Sequence, residues 1–242
     1  MESSDRSGSF LMDSVRAHAL RFERPLAPTY GSGTGVRVLV AFLVVAVGVY
    51  YGLRIALVAA SVIGTPAASL GFVVLLTLAF FAMQRWYVRA PMADIGLRPL
   101  AAWKRRERLY LLQVVPTASI VFAFVFRDHL MALLEFHGIM GFALFSVATG
   151  LIWGAVQEFL YRGWLQSELT RRFGPLIGLL AANVVFTFGP LHLNYLTDPD
   201  GVRWAGLGAV FGIGLIFGFI YRRSGNLWIP AVLHGLWPLN MT

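Results

Sequence analysis

Apolar runs of roughly membrane-spanning length dominate this chain. Seven of them can be counted, at about 36–60, 68–83, 109–126, 139–160, 175–195, 205–221 and 226–240. A transmembrane helix needs about 20 predominantly apolar residues. The runs therefore predict an all-α fold, a polytopic membrane helix bundle of about seven transmembrane helices. The last run is short and contains Pro230 and Pro238, which predict a broken or incompletely inserted helix.

The composition agrees with a membrane protein rather than a soluble domain. Hydrophobic residues make up 57% of the 242 residues, charged residues make up only 13%, and the mean hydropathy is +0.69. The chain has no cysteine, which excludes disulfides, thiolate metal sites and a cysteine nucleophile.

The basic residues indicate how the chain is oriented. They concentrate in residues 1–35, in the loop 84–108, in the segment 162–174 and at Arg222 and Arg223, whereas the intervening loops hold few. Because Lys and Arg collect in cytoplasmic loops, we expect a multi-pass protein of the inner (cytoplasmic) cell membrane. Its N-terminus is then inside and its C-terminus outside.

This pattern also suggests the domain organisation and the partners. Residues 1–35 are polar and are expected to form a cytosolic tail, while residues 36–242 form a single transmembrane domain. The net charge of +8 then belongs to loops. The loop 84–108 carries Trp86 and Trp103 among its basic residues, so we expect it to lie on the anionic lipid bilayer rather than on nucleic acid.

Two ionisable residues follow the apolar run 139–156. Glu158 and Arg162 are four residues apart, which places them on one face of a helix. Ionisable groups inside a membrane usually face a bundle interior or a wet cavity and pair with one another. The functional hypothesis is a site built on this pair. The alternative is that Arg162 snorkels to the interface and that Glu158 belongs to a tolerated structural ion pair.

Two histidines in later apolar runs could join this pair. A turn is predicted near Gly174, from which Glu158 lies 16 residues back, and His192 lies 17 residues beyond Pro175. At about 1.5 Å per residue, both lie about 25 Å from the turn, provided that the fourth helix continues past Arg162. They are therefore expected at one level. The depth of His234, about eight residues into the last run, agrees less well.

Prolines next to both histidines predict breaks in the helices. Pro190 removes the hydrogen bond that would reach the carbonyl of Phe186, and Pro238 frees the carbonyl of His234. Broken helices at membrane depth are tolerated where they line a cavity. The alternative for each histidine alone is a buried imidazole that is hydrogen-bonded across helices.

These side chains are suited to amide hydrolysis without a covalent intermediate. Glu158 would act as general base, His192 would share or orient the water, and His234 would stabilise the oxyanion. A zinc site of the same three residues is conceivable by residue type. It is not favoured, because the glutamate would serve as both ligand and base and no His-Glu-x-x-His motif is present. We therefore expect no cofactor.

The motifs around these residues resemble those of the CPBP (CAAX-protease and bacteriocin-processing, or Abi) family of intramembrane glutamic-type endopeptidases. The family's first motif, Glu-Glu-x-x-x-Arg-Gly, matches residues 157–163 (QEFLYRG) except at the first position. The second, Phe-x-x-x-His, matches residues 188–192 (FGPLH), and the third, His with Asn or Asp four residues later, matches His234 in part. The likeness covers a core at about 140–240, and residues 94–98 (DIGLR) look like a segment that many members carry before it.

The resemblance implies a water activated by glutamate and histidine, with the third-motif His and Asn as oxyanion donors. It implies cleavage near the C-terminus of a membrane-anchored or lipidated protein. Here Gln157 stands where the family has its first Glu, and Pro238 stands at the third-motif Asn position. Asn240 is the nearest substitute, and Asn183 is more remote.

The predicted site therefore has two groups of residues. The catalytic group is Gln157, Glu158, His192 and His234, and the supporting group is Arg162, Phe188 and Asn240.

Three interpretations of Gln157 stay open: Glu158 has become the base, the chain is a silent scaffold, or the glutamine is an inactivating substitution. The alternative functions are a catalytically silent membrane binding or immunity protein, and a small transporter or channel. We expect a bacterial protein that cuts its substrate at a C-terminal sorting segment rather than at a prenylated CAAX tail. Nothing in the sequence identifies the substrate or the oligomeric state.

Overall fold

The structure, a computed structural model, describes residues 29–125 and 127–236. These residues form helices joined by turns, with no strand among them, which confirms the predicted all-α class. The helices are α1 (Ser32–Ala59), α2 (Pro66–Val88), α3 (Arg105–Val125), α4 (Arg127–Gly141), α5 (142–173), α6 (Pro175–Phe188), α7 (Trp204–Ser224) and α8 (Trp228–Leu236).

Three of the helices are long and apolar enough to cross a membrane. These are α1, α2 and α7, with mean hydropathies of 2.2, 2.1 and 1.8, and α6 is a shorter apolar helix. A multi-pass membrane protein follows from this. The count of about seven spans and the cytosolic N-terminus stay predictions. Helix α8 covers the described part of the last run, and residues 237–240 of that run lie outside the described residues.

The hairpin of α5 and α6 positions most of the site. Its turn lies where the sequence predicts it, because Gly174 adopts a φ of +85° and Pro175 begins α6. Helix α5 continues to Phe173, so the helix end that the apolar run predicts, near residue 160, is too early. The chain passes Arg162 by about three turns before it reverses, which keeps Glu158 well inside the bundle.

The predicted fifth span, 175–195, is not one helix. Helix α6 ends at Phe188, Gly189 is extended, and residues Pro190–Tyr195 form a separate 3₁₀ helix. The reason is that Pro190 lacks an N–H and cannot continue the α-helical ladder. His192 therefore projects from a short turn beyond α6.

Small residues let three helices approach α5 and one another closely. Gly154 of α5 faces Gly235 of α8, and a Cβ on Gly154 would lie 2.5 Å from the Cα of Gly235. Gly214 and Gly218 of α7 face the side chains of Asn183 and Gln166 in the same way. The space beside Gly154 is occupied by the backbone of α8, and that beside Gly214 and Gly218 by the side chains that face them.

Candidate active site

Glu158 is fully buried and has a cation or an imidazole beside each carboxylate oxygen. Its Oε1 lies 2.8 Å from Nδ1 of His234, and its Oε2 lies 3.3 Å from Nε of Arg162. Since a carboxylate only accepts hydrogen bonds, His234 must donate through Nδ1. The pair predicted from the spacing of Glu158 and Arg162 thus becomes a group of three side chains, with one contributed by α8.

Arg162 is buried with 1% of its surface exposed, so it does not snorkel to the interface. Its Nη2 donates to the carbonyl of Gly214 at 2.8 Å, and its guanidinium lies over the ring of Phe186 at 4.2 Å from the centroid. One hydrogen bond, the ion pair with Glu158 and one stacking contact fix the guanidinium plane. Arg162 therefore holds the Glu158 carboxylate in a defined orientation.

His192 is positioned by the helix break that precedes it. Its Nδ1 lies 2.7 Å from the carbonyl of Phe186, the acceptor that Pro190 leaves without a backbone donor. The hydroxyl of Tyr51 on α1 donates to the carbonyl of Pro190 at 2.8 Å, which holds the turn against the bundle. Because a carbonyl only accepts, Nδ1 of His192 carries the proton. In the neutral ring, Nε2 then keeps its lone pair.

The ring of Phe186 brings the two histidines together. Its centroid lies 4.7 Å from that of His192 and 5.8 Å from that of His234, each with the rings edge to face. Sequence reasoning selected Phe188, which is 42% exposed. A signal for Phe186 was available, since it lies four residues before Pro190 and so supplies the freed carbonyl.

Gln157 is almost fully buried one residue before Glu158. Its Oε1 has no hydrogen-bond partner among the residues that the structure describes. It lies one helical turn from Trp153, which stacks on Tyr50 of α1 at 6.2 Å, and one turn from Tyr161, which contacts Phe186 at 5.1 Å. Gln157 thus offers an unused acceptor on the side of α5 that faces α1 and α6.

The remaining asparagines differ in what the structure says of them. Asn240 and Pro238 lie outside the described residues. Asn183 is buried in α6, and its Nδ2 donates to the carbonyl of Phe211 at 3.0 Å. Its Oδ1 faces Gly214, whose carbonyl binds Arg162. Asn183 is therefore next to the guanidinium, a proximity that its distance along the chain did not indicate.

Within the described part of the chain, no group of three His, Cys, Asp or Glu side chains is arranged to hold a metal ion. Oε1 of Glu158 is hydrogen-bonded to His234 and Oε2 forms an ion pair with Arg162, while the Nε2 atoms of both histidines keep their lone pairs when neutral. The metal-free chemistry expected from the sequence stays a prediction.

A second buried carboxylate lies beyond the site, near the end of α5. Glu168 accepts hydrogen bonds from Arg171 at 2.7 and 2.8 Å and from Arg172. Burial acts to raise the pKa of this carboxyl, but the two guanidinium partners outweigh it and hold the pKa below its ordinary value of 4.5. Gly35 of α1 lies against this carboxylate, so the cluster joins α1 to α5.

The sequence of the site region matches a known protease family. Residues 139–239 match the family model described as "Type II CAAX prenyl endopeptidase Rce1-like". This segment contains all the clustered side chains of the site, and the match agrees with the CPBP resemblance of the motifs.

The other comparisons are less extensive. The chain is 34% identical over 80 residues to "Macrolide export ATP-binding/permease protein MacB" of Marinobacter nauticus, which is 32% of this chain and 12% of that relative. The chain thus spans about an eighth of the length of this curated relative. No solved structure matches.

Proposed function

We propose that this chain is an intramembrane endopeptidase that hydrolyses a peptide bond near the membrane-associated C-terminus of a protein substrate. The observation that carries the proposal is the buried Glu158 held between Arg162 and His234, with His192 on the same Phe186 ring. The match of residues 139–239 to a prenyl endopeptidase family supports it. A buried acid with two imidazoles is a costly arrangement that is usually kept for function.

In this proposal His192 is the general base. Its Nδ1 is committed to the Phe186 carbonyl, which leaves Nε2 to take a proton from water. Glu158 serves instead to orient His234, to which its Oε1 is hydrogen-bonded, while its Oε2 forms an ion pair with Arg162 and makes no hydrogen bond among the described residues. Gln157 cannot accept the proton, but its unused Oε1 can accept a hydrogen bond from the water and orient it.

His234 stabilises the oxyanion, and Glu158 positions His234. Oε1 of Glu158 accepts a hydrogen bond from Nδ1–H of His234, so the other nitrogen of the ring is directed away from the carboxylate. As an imidazolium, His234 donates through Nε2 to the developing negative charge.

The reaction then proceeds without a covalent enzyme intermediate. The water oxygen bonds to the carbonyl carbon as its proton passes to Nε2 of His192. The resulting oxyanion is held by His234. When the C–N bond breaks, His192 returns its proton to the leaving amine, and the acid and amine products separate.

The setting of the activity follows from the apolar helices. We propose the inner membrane with a cytosolic N-terminus, and a membrane-anchored protein or peptide as substrate. The name of the macrolide export relative does not extend to this chain. The match covers 12% of that protein, and the sequence lacks the Gly-x-x-x-x-Gly-Lys-Ser/Thr motif that binds nucleotide phosphates.

The test is mass spectrometry of candidate membrane-anchored substrates incubated with purified chain in liposomes. The proposal expects a discrete C-terminal cleavage product that disappears in His192→Ala and Glu158→Gln. Glu135→Gln, an exposed carboxylate on α4, is the matched control and should cleave as the parent does. If both site variants cleave like the parent, the assignment is wrong.

A catalytically silent binding or immunity protein of the same fold is the second candidate. It is favoured by Gln157, which replaces a carboxylate with an amide, and by Pro238 at the third-motif Asn position. It predicts that a membrane peptide is retained by the chain without any product, and that Gln157→Glu leaves this binding unaltered.

A further inference from the structure

The segment 91–108 lies against the turn between α7 and α8. Nη2 of Arg98 donates to the carbonyl of Ser224 at 2.7 Å, and Nε donates to the carbonyl of Gly225 at 3.2 Å. The last carbonyls of a helix have no partner within it and carry partial negative charge. The Arg98 guanidinium therefore caps the end of α7 from a different part of the chain.

The guanidinium is itself held in place by a buried acid. Glu107, in the first turn of α3, lies 3.6 Å from Nη2 of Arg98 and accepts from the backbone N–H of Lys104 at 2.8 Å. Its Oε1 also accepts from Nδ2 of Asn226 at 3.4 Å. The charge of Arg98 is thus compensated at the place where it binds, and the acid bonds to the α7–α8 turn directly.

The same segment bonds to the start of α8. The carbonyl of Gly96 accepts from the N–H of Leu227 at 3.0 Å, and the carbonyl of Arg98 accepts from the indole N–H of Trp228 at 3.1 Å. Gly96 has a φ of +79°, and a side chain there would meet Tyr221 and Leu227. Close contact between the two segments therefore requires glycine at this position.

The start of α8 determines where His234 lies. His234 lies six positions after Trp228, which is about 9 Å along a helix. Trp228 and His234 lie on one continuous helix, so displacement of its first turn displaces the imidazole by a comparable amount. His234 must stay within hydrogen-bonding distance of Glu158, to which it is now 2.8 Å away.

We propose that Arg98 is a positioning residue for His234, acting through the α7–α8 turn and helix α8. Arg98 touches none of the reacting groups, and its effect on catalysis rests on the function proposed above. Its effect on the placement of α8 does not depend on that function. If Arg98 only stabilised the fold in general, its loss would instead destabilise α1 and α8 to the same extent.

The chain has no cysteine, so single thiols can report on the two regions separately. Ala231→Cys places a thiol on α8, and Ala41→Cys places one on α1; both alanines are small and buried, at 2% and 0% exposure. The rate of maleimide labelling is measured for each thiol in otherwise native chain and in chain carrying Arg98→Ala. Arg106→Ala is the matched control, because it removes the charge of an exposed arginine of α3.

We expect Arg98→Ala to raise the labelling rate at position 231 by about tenfold or more, because it removes charge-assisted hydrogen bonds. The labelling rate at position 41 should stay within about twofold of its value in chain with Arg98, because we expect the local opening to be confined to α8 and the α7–α8 turn. Arg106→Ala should change neither. An unchanged rate at position 231 would overturn the proposal, and so would an equal rise at both positions.

Arg98→Lys provides a second test if the alanine variant fails to fold. Lysine keeps the charge but cannot make the forked contacts, so an intermediate rate at position 231 is expected. Full protection by lysine would contradict the need for the guanidinium. In a cleavage assay, kcat should fall in the Arg98 variants whose labelling rate at position 231 rises, while KM should stay unchanged. Absence of cleavage in the parent would count against the proposed function and leave the labelling result valid.

Discussion

His234 Nδ1 lies 2.8 Å from Glu158 Oε1, although 76 residues separate them along the chain. Counting residues along the helices favoured His192 as the partner of Glu158, since those two were expected at one level. The structure instead places His234 on the carboxylate and joins His192 to it through the Phe186 ring. The two histidines therefore have different partners, and their protons are fixed by different acceptors.

Removing the charge of Glu158 should both destabilise and inactivate the protein. Glu158→Gln leaves Arg162 buried without its counter-ion, and loss of one partner of a buried pair costs about 3–5 kcal/mol. The free energy of unfolding in detergent and the cleavage rate are the two measurements. Glu158→Gln combined with Arg162→Met should recover part of the stability and none of the cleavage. Recovery of cleavage in the double variant would contradict the role given to Glu158.

Restoring the family's carboxylate at Gln157 should raise activity. A carboxylate there can accept the proton that an amide cannot, and general bases contribute about 100-fold or more. We expect Gln157→Glu to increase the initial rate of product formation about tenfold or more, measured by mass spectrometry. Gln166→Glu, also buried on α5 but bonded to the carbonyl of Gly218, is the control and should give no gain. A rise in both variants would indicate a general effect of added charge.

The contact between Gly154 and Gly235 should be intolerant of any side chain. Gly154→Ala places a Cβ against the backbone of α8, which costs about 1–3 kcal/mol and moves His234 away from Glu158. The thermal midpoint and the cleavage rate should both fall. Gly208→Ala on α7 is the matched control, because nothing lies within 4 Å of its new Cβ. That control should be neutral or slightly stabilising, as alanine is the better helix former.

Glu168 predicts a pH-dependent contribution to stability. Its pKa is held below 4.5 in the folded protein, so its ionised form favours folding above pH 4.5. This contribution is lost as the pH falls through the folded-state pKa. The parent should therefore be more stable than Glu168→Gln at pH 7, and the difference should shrink below pH 4.5. Unfolding curves across this range test it, and a difference that is constant with pH would contradict it.

Cleavage should be independent of metal ions. The carboxylate that would have to join two imidazoles at a zinc ion is already engaged by His234 and Arg162. Dialysis against EDTA and treatment with 1,10-phenanthroline should leave the rate unchanged. Loss of activity that zinc alone restores would favour a zinc site formed by Glu158, His192 and His234.

Features that depend on local sequence were predictable. The all-α class follows from the apolar runs, the hairpin turn from Gly174 and Pro175, and the helix break from Pro190. The turn and the break are each set by the conformational limits of a few adjacent residues. The count of residues also anticipated that α5 would continue past Arg162, which hydropathy alone did not indicate.

Features that depend on rotation about helix axes were not predictable. Spacing places Glu158 at a depth in the bundle, but it does not say which neighbouring helix faces that side of α5. The choice of His234 over His192 results from the approach of α8 at Gly154 and Gly235. Arg98 was missed as a positioning group for the same reason, since its partners at Ser224 and Gly225 come from a distant segment.

The break at Pro190 also has a consequence for the protonation of His192. In water, an unpaired helix carbonyl would be solvated, but within a bilayer the oxygen of Phe186 has to find a donor in its own chain. The imidazole supplies it, and in doing so selects one tautomer. A backbone kink and an acid-base property are thus a single feature. A residue with an N–H at position 190 would compete for that oxygen and release the ring to adopt the other tautomer.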